Sequence, residues 1–218
     1  MIQKILLVAS LFLVTNAYAQ QKYSDHYYTL KAKFEQTPDT DHEIIFLGNS
    51  ITEGANWKEL FPKINAVNRG ISGDVTDGIL NRLSEVTSSQ PKKIFLLIGT
   101  NDLARGKTRD EVIFITRKIL EKIKKDSPET KIYLQSILPV NPLVGEKFSG
   151  HKSKQEDIVL VNIRLKQMAK DLHLRYINLH KCFSDNKGHL KSAYTYDGLH
   201  LSEEGYSHWA KIIRKYVR

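Results

Sequence analysis

The sequence predicts an α/β protein: a three-layer α/β/α sandwich with a central, mostly parallel sheet of five strands. Short runs rich in Val, Ile, Leu and Phe alternate with longer segments of helical periodicity along most of the chain. The apolar runs are nearly continuous, which is typical of strands buried on both faces of a parallel sheet. No internal repeat or linker divides the chain, so we expect one domain over residues 20–218.

Strands are expected at the five apolar runs. In order, these are EIIFLG (43–48), NAVNRG (65–70), KKIFLLIG (92–99), KIYLQSIL (131–138) and RYINL (175–179). In parallel sheets, ligands bind outside the carboxyl ends of the strands, where the strand order reverses. The residues that follow the first three runs are therefore the first place to look for a site.

Helices are expected between and around these strands. The amphipathic patterns cover residues 23–38, 75–86, 108–126, 156–172 and 202–217. Ser202 is a suitable N-cap for the last helix, and Glu203 and Glu204 in its first turn favour the helix dipole. Two irregular stretches, 139–154 and 180–196, follow predicted strands and are expected to border the same edge of the sheet.

Residues 1–19 are predicted to form a signal peptide. Lys4 precedes a short apolar run, and Ala17 and Ala19 form an Ala-x-Ala cleavage pattern. The apolar run is well short of the ~20 residues that a membrane-spanning helix needs. We therefore expect cleavage after Ala19, a mature chain without an integral membrane segment, and a periplasmic or secreted location.

Composition argues against several classes of protein. The 33 basic and 24 acidic residues leave a formal net charge of +9, yet the basic residues are dispersed and are not interleaved with aromatic ones. Nucleic acid is therefore not an expected partner. The single cysteine, Cys182, allows no intramolecular disulfide and is expected to be a packing residue. No HExxH motif or Cys/His spacing indicates a metal, so no cofactor is expected.

Residues suited to catalysis follow the first three predicted strands and precede the final helix. Ser50 follows the first strand, Gly73 the second and Asn101 the third, while Asp197 and His200 precede the final helix. Since these segments end at one edge of a parallel sheet, we expect the five residues to lie close together.

This set of residue types suits ester cleavage. A serine hydroxyl is a weak nucleophile and needs an adjacent base. His200 can accept the proton of Ser50, and Asp197 can fix the imidazole tautomer and stabilise the imidazolium. The backbone amides of Ser50 and Gly73 and the side-chain amide of Asn101 are candidate donors to the oxyanion of the tetrahedral intermediate.

Four short blocks resemble those of the GDSL, or SGNH, hydrolase family of esterases and lipases. The blocks are GNSIT, GISGD, GTND and DGLH, and they occur in this order over residues 47–200. The resemblance implies a flavodoxin-like SGNH hydrolase fold. It also implies Ser50, Asp197 and His200 as the catalytic residues, with Ser50, Gly73 and Asn101 as the oxyanion hole.

One position departs from the family pattern and one alternative stays open. Asn49 occupies the place of the family's usual Asp, beside the nucleophile, so altered hydrogen bonding is expected without loss of activity. Gly70 competes with Gly73 for the oxyanion role, and Gly73 is preferred because Asp74 follows it.

A few further polar residues have two interpretations. Arg69 and Arg105 could contact an anionic substrate, but surface ion pairing is the default expectation. His151 and His189 lie in the irregular stretches and could touch substrate, although most histidines outside the motifs are surface or packing residues.

Within the GDSL hydrolase family the chain resembles the compact bacterial acetylhydrolases and carbohydrate O-acetylesterases. This resemblance implies hydrolysis of small acyl esters, above all acetyl esters, on carbohydrates such as sialic acids or other glycans. Stretch 139–154 carries few sizeable apolar side chains, among them Leu143, Val144 and Phe148, and offers little apolar surface for a long acyl tunnel. The alternatives are a lysophospholipase or thioesterase of the same family and a glycan-binding module without turnover. The natural alcohol, the acyl length and the oligomeric state stay open.

Overall fold

The structure is a computed structural model that describes residues 22–218. Its centre is a sheet of five strands, all parallel, in the order β2-β1-β3-β4-β5. The strands are β1 Ile44–Gly48, β2 Ala66–Gly70, β3 Lys93–Leu97, β4 Lys131–Gln135 and β5 Arg175–Ile177. The predicted fold class is confirmed, and the sheet is wholly rather than mostly parallel. The predicted signal peptide lies outside the described residues.

The helices of the described residues include the predicted long ones and several single turns. They are α1 Asp25–Gln36, α2 Ser50–Glu53, α3 Trp57–Leu60, α4 Thr76–Asn81, α5 Leu83–Thr87, α6 Thr100–Ala104, α7 Arg109–Asp126, α8 Ser149–Lys152, α9 Gln155–Asp171, α10 Leu179–Phe183 and α11 Glu203–Val217. The pattern over 75–86 forms two helices, because Arg82 leaves helical geometry between them (φ −110°, ψ 12°). Four-residue and five-residue helices such as α2 and α6 are too short for periodicity to reveal.

An aromatic row covers one face of the sheet. Phe46, Phe95 and Tyr133 are partners in register on β1, β3 and β4. Trp57 of α3 stacks on Phe46 with ring centroids 3.7 Å apart, and Trp209 of α11 meets Trp57 edge-on at 4.9 Å. Burial of each such side chain contributes about 1.5–3 kcal/mol or more. Helices α3 and α11 are therefore held against this face.

Helices α4, α5, α7 and α9 pack against one another in the other helical layer. Thr108 and Glu111 form a capping box at the start of α7, which ends four residues before β4. The buried residues of α7 recur at helical spacing along one stripe, and they are Val112, Thr116, Ile119, Leu120 and Ile123. The apolar members of this stripe belong to the same buried cluster as the strands.

The strand order determines where a site can form. The chain passes from β1 outward to β2 and then returns across β1 to β3, so the order reverses at β1. The loops that follow these three strands are neighbours at one edge of the sheet. No helix among residues 22–218 is long and apolar enough to cross a membrane.

Candidate active site

Ser50 begins helix α2 two residues after strand β1 ends. The side-chain Oδ1 of Asn49 caps this helix by accepting a hydrogen bond from the amide of Ile51 at 3.0 Å. Asn49 is fully buried, and its Nδ2 has no hydrogen-bond partner within the described residues. An Asp at this position would offer a second acceptor where Asn presents a donor. The half-buried Ser50 side chain is thus presented at the end of a rigid strand.

Ser50, His200 and Asp197 form a continuous hydrogen-bonded chain. Ser50 Oγ lies 3.0 Å from His200 Nε2, and His200 Nδ1 lies 2.7 Å from Asp197 Oδ2. Since the carboxylate accepts the proton on Nδ1, Nε2 is the nitrogen that accepts the hydroxyl proton of Ser50.

A tight turn before α11 holds Asp197 in place. Its Oδ1 accepts hydrogen bonds from the amides of Leu199 and His200 at 2.9 and 2.8 Å. Burial raises the pKa of Asp197, but the hydrogen bonds from the ring and amide of His200 outweigh burial and hold it below its usual value. The carboxylate is therefore ionised at neutral pH and can stabilise an imidazolium.

The three candidate donors to an oxyanion belong to Ser50 and to the segments that follow β2 and β3. Within the described residues, the backbone amides of Ser50 and Gly73 donate no hydrogen bond to protein atoms. Asn101, the second residue of α6, is buried and directs its Nδ2 to the carbonyl oxygen of Asp74 at 2.9 Å. This arrangement can accommodate attack by Ser50 on an ester carbonyl, with proton transfer to His200 and then to the leaving alcohol.

The structure separates the roles of the two competing glycines. Gly73 has φ +78°, in the left-handed region that favours glycine, and lies in the loop after β2. Gly70 lies within β2, where an added Cβ would come 2.2 Å from the backbone nitrogen of Glu53. Gly70 therefore allows α2 to approach β2. Gly73 instead belongs to the loop 71–75 between β2 and α4, which we call the oxyanion loop, and its backbone amide, unpaired within the described residues, is free for the predicted role.

His151 lies beside the oxyanion loop and was not assigned this contact from the sequence. Its Nε2 is 2.9 Å from Oδ1 of Asn101, so it holds the amide on the side opposite Asp74. Burial first, and then the nearby His200 and Arg105, lower the pKa of His151. No local sequence signal pairs these residues, because they are 50 positions apart.

A buried ion-pair network supports the oxyanion loop. Arg82 is fully buried; its Nε donates to Asp74 Oδ2 at 2.9 Å, and its Nη1 donates to Glu85 Oε1 at 3.0 Å. Its Nη2 donates to the carbonyl oxygens of Arg69 at 2.8 Å and Gly48 at 3.3 Å, at the ends of β2 and β1. Burial raises the pKa of Asp74 to about 6, against the lowering effect of Arg82. Sequence analysis missed this role of Arg82, which local pattern does not distinguish from a surface arginine.

Glu53 adds a second support for the same loop. Its carboxylate accepts a hydrogen bond from the amide of Ser72, next to Gly73, and lies 3.0 Å from Nε2 of His26 on α1. The oxyanion loop is thus held by α2 on one side and by Arg82 beneath it.

Other residues considered from the sequence lie elsewhere. Arg69 is buried and pairs with Glu85 at 2.9 Å, so it does not face substrate, and this pairing is internal rather than at the surface. His189 is in a turn in which its amide donates to Asp185. Cys182 is partly buried and unpaired. Among residues 22–218, no group of three or more His, Cys, Asp or Glu side chains is placed to hold a metal ion.

Comparisons with known proteins identify a family and several relatives. The GDSL-like Lipase/Acylhydrolase family matches residues 46–208. The alpha2 subunit of platelet-activating factor acetylhydrolase IB from Rattus norvegicus is 27% identical over 186 residues, covering 82% of this chain and 77% of that protein. A solved structure from Streptococcus pneumonia, described as a platelet activating factor, is 31% identical. It has a TM-score of 0.80 and covers 88% of this chain and 93% of that one.

A GDSL-like lipase from Bacteroides thetaiotaomicron shares the fold. Its TM-score is 0.75 at 24% identity, over 88% of this chain and 96% of that one. The family match spans Ser50, Gly73, Asn101, Asp197 and His200. The chain belongs to the GDSL-like lipase/acylhydrolase family and is a serine esterase.

Proposed function

We propose that this esterase removes small acyl groups, above all acetyl, from a polar, carbohydrate-like alcohol. Ser50 is the nucleophile, His200 the base and then the acid, and Asp197 the residue that orients His200. Ser50, Gly73 and Asn101 supply the oxyanion hole. The observation that carries the proposal is the 3.0 Å contact between Ser50 Oγ and His200 Nε2, next to two backbone amides that donate to no protein atom within the described residues.

The stretch 139–154 supports the proposal of a small acyl group, because a hydrogen bond ties it to the turn that carries Asp197 and His200. The amide of Asn141 donates to the carbonyl oxygen of Gly198 at 2.8 Å. Lys152 is only 9% exposed, and its Nζ donates to the carbonyl oxygens of Val144 and Gly145 at 2.6 and 2.8 Å. The ammonium group of Lys152 therefore binds the backbone of the loop and is not directed at a substrate. A loop tied in this way is poorly suited to opening a long apolar tunnel.

Two aromatic side chains flank the base. The ring of Phe148 meets the ring of His200 edge-on with centroids 5.1 Å apart. Tyr196 is 66% exposed and lies nearly parallel to the His200 ring at 6.1 Å. An exposed aromatic face with a polar tip, beside the residue that protonates the leaving group, suits an alcohol that is partly apolar and partly polar, such as a sugar ring.

The relatives support an acetyl substrate. The curated proteins of this similarity are acetylhydrolases by name, acting on platelet-activating factor. These relatives support the acetyl half of the proposed substrate, whereas the exposed ring of Tyr196 supports the carbohydrate-like alcohol half. As an esterase, the chain does not fit the alternative of a glycan-binding module without turnover.

The test is a series of esters of one alcohol with acyl chains of two, four, eight and twelve carbons. We expect kcat/KM to be highest for acetyl and to fall with chain length, and Ser50→Ala to abolish turnover. Hydrolysis of O-acetylated sugars is then compared with hydrolysis of lysophospholipids, as the two candidate classes of natural substrate. A steady rise towards the long chains would favour the lysophospholipase or thioesterase alternative and overturn the proposal.

Tyr196→Ala tests the alcohol site. It should raise KM for an O-acetylated sugar more than for a small acetyl ester such as ethyl acetate. Phe114→Ala is the matched control, since Phe114 is an exposed aromatic residue on α7. An equal effect of Tyr196→Ala on both esters would remove the argument for a sugar ring.

We also propose that the protein is exported after cleavage behind Ala19. The support is the basic, apolar and Ala-x-Ala order of the first 19 residues. Mass spectrometry of the full-length product expressed in a bacterial host should find a chain that begins at Gln20 in the periplasm or medium. An uncleaved chain that stays in the cytoplasm would overturn this proposal.

A further inference from the structure

A cleft of about 420 Å³ lies beside the oxyanion loop. Ser72, Gly73 and Asp74 form one wall, Tyr23 and Tyr27 of the amino-terminal segment form another, and Arg105 and Lys107 close it from the end of α6. Because Gly73 belongs both to this cleft and to the oxyanion hole, a ligand in the cleft is adjacent to the reacting ester.

Four of the six charged side chains that line the cleft take part in salt bridges. Asp74 pairs with Arg82 at 2.9 Å, and Lys107 contacts both Asp77 and Asp102, the latter at 2.8 Å. The other two are Lys22, whose ammonium lies over the ring of Tyr23, and Arg105, which is the one next to Gly73. Arg105 is exposed and makes no salt bridge and no side-chain hydrogen bond within residues 22–218.

The position of Arg105 is set by the same helix that carries Asn101. Arg105 is the C-cap of α6, and its amide donates to the carbonyl oxygen of Asn101 at 3.0 Å. One guanidinium nitrogen lies 3.1 Å from the point where a Cβ on Gly73 would be. Its charge also lowers the pKa of His151, which contacts Asn101. An unpaired guanidinium, within the described residues, thus lies against the oxyanion loop and lines the cleft.

We propose that Arg105 binds an anionic group, a carboxylate or a phosphate, on the alcohol half of the substrate. The proposal rests on the proposed function, since a small acyl group leaves only the alcohol to carry the charge. Arginine presents a planar fork of donors that matches both anions in a bidentate manner. The substrates are then acyl esters of acidic alcohols, such as sugar acids or sugar phosphates, and a neutral sugar ester is a poorer substrate.

The experiment compares two acetyl esters that differ in one charge, 4-acetoxybenzoate and its methyl ester, with wild-type enzyme, Arg105→Gln and Arg105→Lys. The measured quantity is the ratio of kcat/KM for the anionic ester to that for the neutral ester. We expect this ratio to fall about 5- to 20-fold in Arg105→Gln, mainly through KM, and to fall less in Arg105→Lys. The wild-type ratio should decrease as salt screens the charge. Arg214→Gln is the matched control, since Arg214 is exposed in the last turn of α11, and its ratio should equal that of the wild type.

A second comparison distinguishes a carboxylate from a phosphate. It measures kcat/KM for the acetylated forms of a neutral hexose, a hexuronate and a hexose phosphate. An equal loss for charged and neutral esters in Arg105→Gln would overturn the proposal, because Arg105 would then act on the oxyanion or the loop. Failure of the proposed function looks different: neither acetyl ester would be hydrolysed, or hydrolysis would survive Ser50→Ala. Either of those results also removes the basis for the anion site.

Discussion

Nε2 of His151 lies 2.9 Å from Oδ1 of Asn101, and Nδ2 of Asn101 lies 2.9 Å from the carbonyl oxygen of Asp74. The side-chain amide is therefore held at both ends, with its donor group on the side of the oxyanion loop. Since burial and the neighbouring His200 and Arg105 lower the pKa of His151, the ring is neutral near pH 7 and donates through Nε2. His151 is a positioning residue for Asn101.

We expect His151→Ala to lower kcat about tenfold with little change in KM, because a freed amide can rotate away from the developing charge. His151→Gln, which keeps a donor, should recover part of the loss. His189→Ala is the control, since His189 is a half-buried loop histidine away from Asn101. A rise in KM without loss of kcat would show that His151 contacts substrate instead.

The hydrogen-bonded chain of Ser50, His200 and Asp197 predicts non-additive losses. Ser50→Ala and His200→Ala should each lower kcat by roughly 10⁴–10⁶, and the double variant should lose little more, because the two residues act as one unit. Asp197→Asn should cost less. Circular dichroism should show a folded protein in each case, and near-normal kcat in either single variant would refute the assignment.

Asn101→Ala should reduce kcat by roughly 10²–10³, the usual cost of removing one oxyanion donor, and should affect KM much less. The same substitution removes the hydrogen bond to Asp74, so a lower melting temperature is also expected. A large rise in KM at unchanged kcat would make Asn101 a substrate-binding residue.

Substitution by alanine should affect Gly70 and Gly73 differently: stability should suffer at Gly70 and kcat at Gly73. Gly70→Ala places a Cβ 2.2 Å from a backbone atom of Glu53, which cannot move freely, so a loss of about 3 kcal/mol or more in unfolding free energy is expected. Gly73→Ala meets only the flexible end of Arg105 at 3.1 Å, but its φ of +78° is strained, at about 1–2 kcal/mol. Gly73→Ala should therefore fold and lose kcat at least about tenfold, since its amide shifts. Urea unfolding and kinetics on both variants check this, and a fully active Gly73→Ala would contradict it.

Asp74 predicts an unusual pH dependence of stability. Burial raises its pKa from 3.8 to about 6, with Arg82 opposing and Asp102 adding to the rise. The folded state then binds more protons than the unfolded state between about pH 4 and 6, so the stability from this group falls as pH rises through that window. The change is on the order of 3 kcal/mol.

Urea unfolding of the wild type and Asp74→Asn at pH 4, 5, 6 and 7 measures this contribution. The advantage of the wild type over the variant should shrink as pH rises. An advantage that grows with pH would mean that the ion pair with Arg82 outweighs burial.

The sequence predicted the elements that have a strong local signature. Strands β1 and β3 are nearly continuous apolar runs, and the long helix α7 carries both its apolar stripe and its Thr108 cap as patterns of neighbouring residues. Short motifs after the strands were enough to single out Ser50, Gly73, Asn101, Asp197 and His200, since the carboxyl ends of parallel strands meet at one edge. The choice between Gly70 and Gly73 stayed open, because a glycine's φ and the approach of another backbone are not local properties of the sequence.

The contacts that only the tertiary structure decided join residues far apart in the chain. His151 reaches Asn101 across 50 positions, and the exposed Arg105 and the buried Arg82 are indistinguishable as letters in the sequence. Whether an arginine is paired depends on which carboxylates the packed helices bring to it. The desolvation that raises the pKa of Asp74 likewise arises only once the chain has packed around it. The sequence by itself thus determined the fold class and named the residues of the candidate site, whereas the contacts that support the oxyanion loop and the unpaired charge beside it depend on long-range packing.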